Sequence, residues 1–186
     1  MSAATRIEWA DSTFNPWIGC TKISPGCDHC YAERQMDQRL GRVRWGAGQP
    51  RQRTSAAYWR QPELWNAEAD RFRECGACGW RGQIEIGASP VPFARRRVFC
   101  ASLADVFDNE VPLKWLMDLL DLIRRTPNLD WLLLTKRIGN VTTRLGAVAR
   151  LAGKIGEEGD KAASDTWGMA FARRSPGGFA ARGGAQ

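Results

Sequence analysis

Cys20, Cys27 and Cys30 stand within eleven residues of one another, in the run Gly19-Cys20-Thr21-Lys22-Ile23-Ser24-Pro25-Gly26-Cys27-Asp28-His29-Cys30-Tyr31. A structural zinc ion closes its tetrahedron with four protein ligands, whereas a [4Fe-4S] cluster held by three thiolates keeps one iron open for a substrate or cofactor. A set of three soft ligands therefore points to chemistry rather than to stapling. His29, the one histidine of the chain, is a further possible metal ligand. Cys75 and Cys78 form a separate Cys-x-x-Cys pair followed by Gly79 and Trp80, which reads as half of a zinc ribbon. Its missing half can come from Cys27 and Cys30, giving a four-thiolate zinc site, or from a second chain joined through the metal. Cys100 lies in an apolar run and reads as a small core residue.

Composition sets the context for these thiols. The 186-residue chain is 44% hydrophobic and 25% charged, enough for one domain with a real core. Residues 1–12 carry Arg6, Glu8 and Asp11 and lack the apolar region of a signal peptide, and Trp131–Leu134 is far too short to span a bilayer. A cytoplasmic protein is expected, and cytosolic cysteines at paired spacings read as metal or redox ligands before disulfides. The net charge of +7 is uneven: seven arginines against Asp37 alone fall between Arg34 and Arg60, and Arg95, Arg96 and Arg97 form a second cluster. Such a field favours polyanions, including nucleic acid, although arginine-rich surfaces are also simply soluble.

Several elements must position the cysteine loop. Phe14–Ile18 is a short apolar segment, plausible as a first strand although Pro16 limits its pairing. Pro25-Gly26 favours a turn that folds the loop back, and Tyr31–Leu40 reads as a helix ended by Gly41. Residues 41–96 lose periodicity and are rich in glycine, arginine and tryptophan, an insertion carrying the Cys75/Cys78 knuckle. Trp45, Trp59, Trp65 and Trp80 in this insertion either stack on single-stranded bases or form its own small core. Trp9, Trp17, Trp115 and Trp131 read as packing residues.

Arg97–Ala101 is a β-prone run, Ser102–Val111 a polar loop, and Pro112 opens a helix with Leu113, Leu116, Met117, Leu120 and Ile123 as its apolar stripe. Trp131–Leu134 then reads as a strand buried on both faces, so that strand, helix and strand form a right-handed βαβ unit. With a further helix at Val141–Ile155, the fold class is α/β with three to four βα units in residues 1–156. The tail 157–186 is glycine- and arginine-rich and of low order, with Thr166–Phe171 as one possible strand. In parallel βα folds ligands gather at the carboxyl ends of the strands. The cysteine loop, then Ser102, Asp105, Asp108 and Asn109, then Thr135, Lys136 and Arg137 follow successive strands and are expected to face one pocket. Read singly, Asp108 or Asn109 caps a helix and Lys136 is solvated.

The chain also resembles a known family. Thr5-Arg6-Ile7-Glu8-Trp9, Phe14-Asn15-Pro16-Trp17, the cysteine motif, Val98-Phe99-Cys100-Ala101-Ser102-Leu103-Ala104-Asp105-Val106-Phe107-Asp108 and Trp131-Leu132-Leu133-Leu134-Thr135-Lys136-Arg137 look like a phage-borne three-cysteine-motif family. That family has no assigned reaction and is similar to radical SAM proteins. The resemblance implies a partial parallel (β/α) barrel, TIM-barrel-like, of which this chain holds about half, as a C-terminally truncated or divergent member. It implies a [4Fe-4S] cluster on Cys20, Cys27 and Cys30, with S-adenosylmethionine on the open iron. It further implies His29, Tyr31, Ser102, Asp105 and Asp108 around that cofactor, and Lys136 and Asp105 as candidate catalytic groups. Reductive cleavage of the sulfonium would then yield a radical that takes hydrogen from an unknown substrate, nucleic acid or protein. A partner protein completing the barrel is a further expectation. The alternatives are a zinc-stabilised nucleic-acid-binding module without catalysis and an inactive truncated family member.

Overall fold

The computed structural model describes residue 5, residues 7–84 and residues 91–159; the possible strand at 166–171 and most of the tail expected at 157–186 lie outside them. The chain forms two compact units, Met1–Val141 and Thr142–Gln186. The first unit is mixed α/β, built on three parallel strands: β1 (Ser12–Phe14), β6 (Arg96–Cys100) and β7 (Leu129–Leu133), in the order β1-β6-β7. Val98 pairs with Ser12 on one side and Trp131 on the other, and Cys100 with Phe14 and Leu133. Among the described residues the sheet stays open at three strands, so the expected partial barrel is reduced to this core. The described part of the second unit is helix α5 (Val141–Gly159), which starts at the last residue of the first. No helix among the described residues is long and apolar enough to cross a membrane.

The expected βαβ unit is present. Helix α4 (Leu113–Arg125) connects β6 to β7. It buries Leu116, Leu119 and Leu122 almost completely, so its apolar stripe is turned from the expected one, in which Leu119 and Leu122 were absent. Leucines occupy neighbouring helical rows, which makes the apolar face broad and leaves its centre to be chosen by the sheet. The helix ends at Thr126, whose hydroxyl donates 2.7 Å to the Leu122 carbonyl and accepts from Trp131 Nε1 at 3.0 Å. Pro127, which cannot continue a helix, follows.

Three further expectations are corrected. Phe14–Ile18 is not one strand: Asn15-Pro16 ends β1 at Phe14, and β2 (Trp17–Ile18) turns away to pair antiparallel with β3 (Gln52–Arg53). Pro16 has no N–H to give a ladder, so the chain changes partner at this point. Strand β7 is also not buried on both faces. It lies at the sheet edge, with Leu129 buried, Trp131 to Leu133 half-buried and Leu134 61% exposed. The helix expected over 31–40 is α-helical only at α1 (Tyr31–Glu33) and widens into π turns over Arg34–Arg39, with the Leu40 amide donating to the Gln35 carbonyl.

The described residues of 41–96 contain regular elements. Besides β3 they contain α2 (Ala56–Trp59), capped by the Ser55 hydroxyl, α3 (Gln61–Ala67) and the hairpin of β4 (Phe72–Glu74) and β5 (Arg81–Gln83). Tyr58 stacks on Phe14 at 5.3 Å and Trp59 meets the same ring edge-on at 5.6 Å, so this segment completes the core of the parallel sheet. Trp17 and Trp65 are buried, whereas Trp9, expected to pack inside, is 46% exposed over the Phe99 ring. Trp59 thus belongs to the core of the sheet rather than to a small core of the insertion's own, Trp65 is buried, and Trp80 alone of the four is exposed.

Asp11 clamps the β4–β5 hairpin to the sheet. Its carboxylate accepts from Arg81 Nε at 2.9 Å and from the Arg97 amide at 2.7 Å. Burial pushes the carboxyl upward, but the hydrogen bonds from Arg81 and Arg97 outweigh it and hold its pKa below the ordinary carboxylate value. The stabilisation is complete above the unfolded value of about 4 and is lost as pH falls through the lower folded value. Urea denaturation across the acid range should show Asp11→Asn less stable than wild type near neutrality, with the two curves converging below about pH 4. A constant difference down to the lowest pH would contradict this role.

Candidate functional site

The three polar loops converge as the βα arrangement requires. After β2, Gly19 forms a parallel bridge with Ala104, its amide donating 3.1 Å to the Leu103 carbonyl, which sets the cysteine loop beside the loop that follows β6. Gly19 has φ +112, and a Cβ there would stand 3.0 Å from Val43 and 3.1 Å from Arg51, so glycine alone fits. Asn15 fastens the same junction: its side-chain oxygen accepts the Leu103 amide at 2.8 Å and its nitrogen donates to the Ser102 hydroxyl at 3.1 Å. The result is a cavity of about 280 Å³ lined by Cys20, Cys27 and Cys30, by Ser102 and Asp105, and by Thr135, Lys136 and Arg137. His29 and Tyr31 line it too, and the Tyr31 hydroxyl donates to the Ser102 carbonyl at 2.8 Å.

Asp105 and Asp108 face the protein rather than open space. Asp105 is 5% exposed; one carboxylate oxygen accepts from the Thr135 hydroxyl at 2.8 Å and the Phe107 amide at 2.9 Å. The other accepts the Lys136 amide at 3.0 Å and lies 3.4 Å from the Arg137 guanidinium. Asp108, 2% exposed, lies behind the cavity, paired with Arg51 Nη2 at 2.7 Å and 3.9 Å from Arg137. Arg51 also donates to the Thr21 hydroxyl at 2.7 Å. Sequence reasoning missed Arg51 and Asn15 as site residues. Arg51 carried no distinguishing signal inside an arginine-rich run, and its partners are far away in sequence. The arginine field is correspondingly smaller than composition implied: Arg51 is internal and Arg53 pairs with Asp118 at 2.7 Å. Arg34 and Arg39 line a groove of about 650 Å³ together with Asp28 and Glu33.

Cationic groups meet two of the three motif sulfurs. Arg137 Nη1 donates to Cys20 Sγ at 3.3 Å and Nη2 to the Thr21 carbonyl at 2.6 Å. Lys136 Nζ donates to the Gly26 carbonyl at 2.5 Å and lies 3.7 Å from Cys27 Sγ. Burial pushes the Cys20 thiol up against the pull of Arg137, whereas backbone hydrogen bonds at Ile23 and Ser24, with the Ser24 hydroxyl and Lys136, hold the Cys27 thiol below its ordinary value. Cys100 is fully buried and burial pushes its thiol far up, consistent with a core residue.

As a donor set the loop fits an iron-sulfur cluster: three thiols line one cavity, and a cation stands beside two of them. The sulfurs do not yet close on one point, since among the described residues no three Cys, His, Asp or Glu side chains gather as a metal site. The same holds for the four-thiolate set of Cys27, Cys30, Cys75 and Cys78. Cys75 and Cys78 sit instead at the turn between β4 and β5, where the Cys78 thiol and the amides of Cys78 and Ala77 hydrogen-bond the Cys75 sulfur and hold its pKa down.

The buried charges behind the cavity generate a stability prediction. Arg51→Met leaves Asp108 without its main partner and should cost about 3–5 kcal/mol in urea denaturation, whereas Arg51→Met with Asp108→Leu should cost less than the single change. Equal or greater loss in the double variant would contradict the pairing.

No curated protein and no solved structure matches this chain. Residues 4–170 of its 186 match the family described as "Protein of unknown function (DUF5131)", and the chain belongs to that family.

Proposed function

We propose that this chain is a radical-SAM-like iron-sulfur protein that uses reductive cleavage of S-adenosylmethionine to modify a substrate. The observation that carries the reading is the joint placement of Cys20, Cys27 and Cys30 around one cavity beside the carboxyl ends of β6 and β7. When bound, a [4Fe-4S] cluster with one open iron would supply the electron and the chelating site for the cofactor. The chain's own residues do the positioning. Arg137 holds the Cys20 end of the loop and Lys136 holds the Gly26-Cys27 end, so both ends of the motif are tied to the segment after β7. Asp105 fixes that segment by accepting the Thr135 hydroxyl and the Lys136 amide. This makes Asp105 a positioning residue, while Lys136 can reach a ligand in the cavity directly.

Tyr31 is 60% exposed and, tethered through its hydroxyl, presents a fixed ring at the cavity, with Ser102 and His29 beside it for the cofactor. Lys136 lines the same space and favours a ligand that carries carboxylate or phosphate, while Lys22 beside it is paired with Glu33 at 3.2 Å. A zinc-stabilised nucleic-acid-binding module has less support, because Cys75 and Cys78 do not line this cavity and two of the insertion's arginines are paired with carboxylates, Arg51 with Asp108 and Arg53 with Asp118.

Anaerobic reconstitution with iron and sulfide should load about four irons per chain, and reduction should then cleave S-adenosylmethionine. Cys27→Ala should lose both. A colourless protein that takes up only zinc under these conditions would overturn the proposal.

A further inference from the structure

Outside the cavity, the part of the described chain built most specifically for a ligand is the turn between β4 and β5. Cys75 closes the hairpin by donating its amide to the Trp80 carbonyl at 2.8 Å and accepting the Gly79 amide on its own carbonyl at 2.8 Å. Gly79 takes φ +71, the left-handed conformation that reverses the chain directly after Cys78 and that a side chain would strain. The Gly79-to-Cys75 hydrogen bond folds Cys75 and Cys78 into one tight turn at the end of the hairpin. Two cysteines at Cys-x-x-Cys spacing on such a turn are half of a tetrahedral zinc site.

The other half has no source within the same knuckle. Among the described residues no third Cys, His, Asp or Glu joins the pair, and the neighbouring Glu74 is engaged by Arg81. Of the remaining cysteines, three line the cavity and Cys100 is fully buried in the parallel sheet. The knuckle itself is open: Cys78 is exposed, Trp80 is 45% exposed, and Phe93, which bridges to Arg73 on the other edge of β4, is 70% exposed. A small sheet that carries two cysteines at its turn and leaves the outer faces of two aromatic rings exposed is suited to a partner that brings the same surface.

We infer that Cys75 and Cys78 form a zinc-binding half-site that a second copy of this chain completes, giving a homodimer bridged by one Zn²⁺ held by four thiolates. Trp80 and Phe93 would add apolar contact around the metal. The metal site is independent of the cysteine loop and does not rest on the proposed radical chemistry.

The test uses the full chain, reduced and supplied with Zn²⁺, with zinc analysis and sedimentation measured together. About one zinc per two chains in a dimer is expected. Removing zinc from wild type with a chelator should return monomers, which tests the bridge without any substitution. Cys75→Ser and Cys78→Ser should each give monomers lacking zinc, and a chain with Cys20, Cys27 and Cys30 all changed to Ser should keep the zinc-bridged dimer. A wild-type monomer under excess zinc would overturn the inference. So would a zinc-bound dimer that survives Cys75→Ser, or zinc that is lost on changing the cysteine loop instead.

Discussion

The buried guanidinium of Arg137 is the point on which the arrangement around the cavity depends. It lies between Asp105 and Asp108 and reaches forward to Cys20 and the Thr21 carbonyl, so one side chain links the segments after β2, β6 and β7. A buried cation is costly unless its charge and its donors are all met. Arg137 meets both demands with two carboxylates, a sulfur and a carbonyl. Arg51 repeats the device one layer behind, joining Asp108 to Thr21 and to the Gly46 and Gln49 carbonyls. These paired charges give the cysteine loop a fixed floor despite its few regular backbone bonds.

That constraint also assigns work to the segment from Arg51 through β5. It brings Arg51 to the back of the cavity, Tyr58 and Trp59 to Phe14, and Arg81 to Asp11. A three-stranded parallel sheet with a single crossover helix has little core of its own, and the aromatic rings of this segment supply the missing cover. Its exposed end, the β4–β5 turn, is the part not used in covering the sheet.

How much of this could be read from the sequence differs by feature. The βαβ unit was legible because its strand, helix and strand carry distinct periodicities, and the convergence of three loops followed from parallel topology alone. The cysteine loop was legible from spacing. What remained hidden was set by long-range partners. Pro16 signalled a limit to pairing but not that Trp17 and Ile18 would pair with Gln52 and Arg53. Trp131–Leu134 has an interior-strand composition yet lies at an edge, because burial depends on a neighbour that composition does not name. Asp105 looked like a reactive carboxylate; only the fold revealed the hydroxyl, amides and guanidinium that surround it.

The central claim is that Cys20, Cys27 and Cys30 hold a cluster with one open iron. Its most direct test is a Mössbauer spectrum of the anaerobically reconstituted ⁵⁷Fe chain, recorded with and without S-adenosylmethionine. A [4Fe-4S] signal in which one iron differs from the other three and shifts on adding the cofactor is predicted. A cluster whose irons are all alike and unmoved by the cofactor, or no cluster signal at all, would contradict the account.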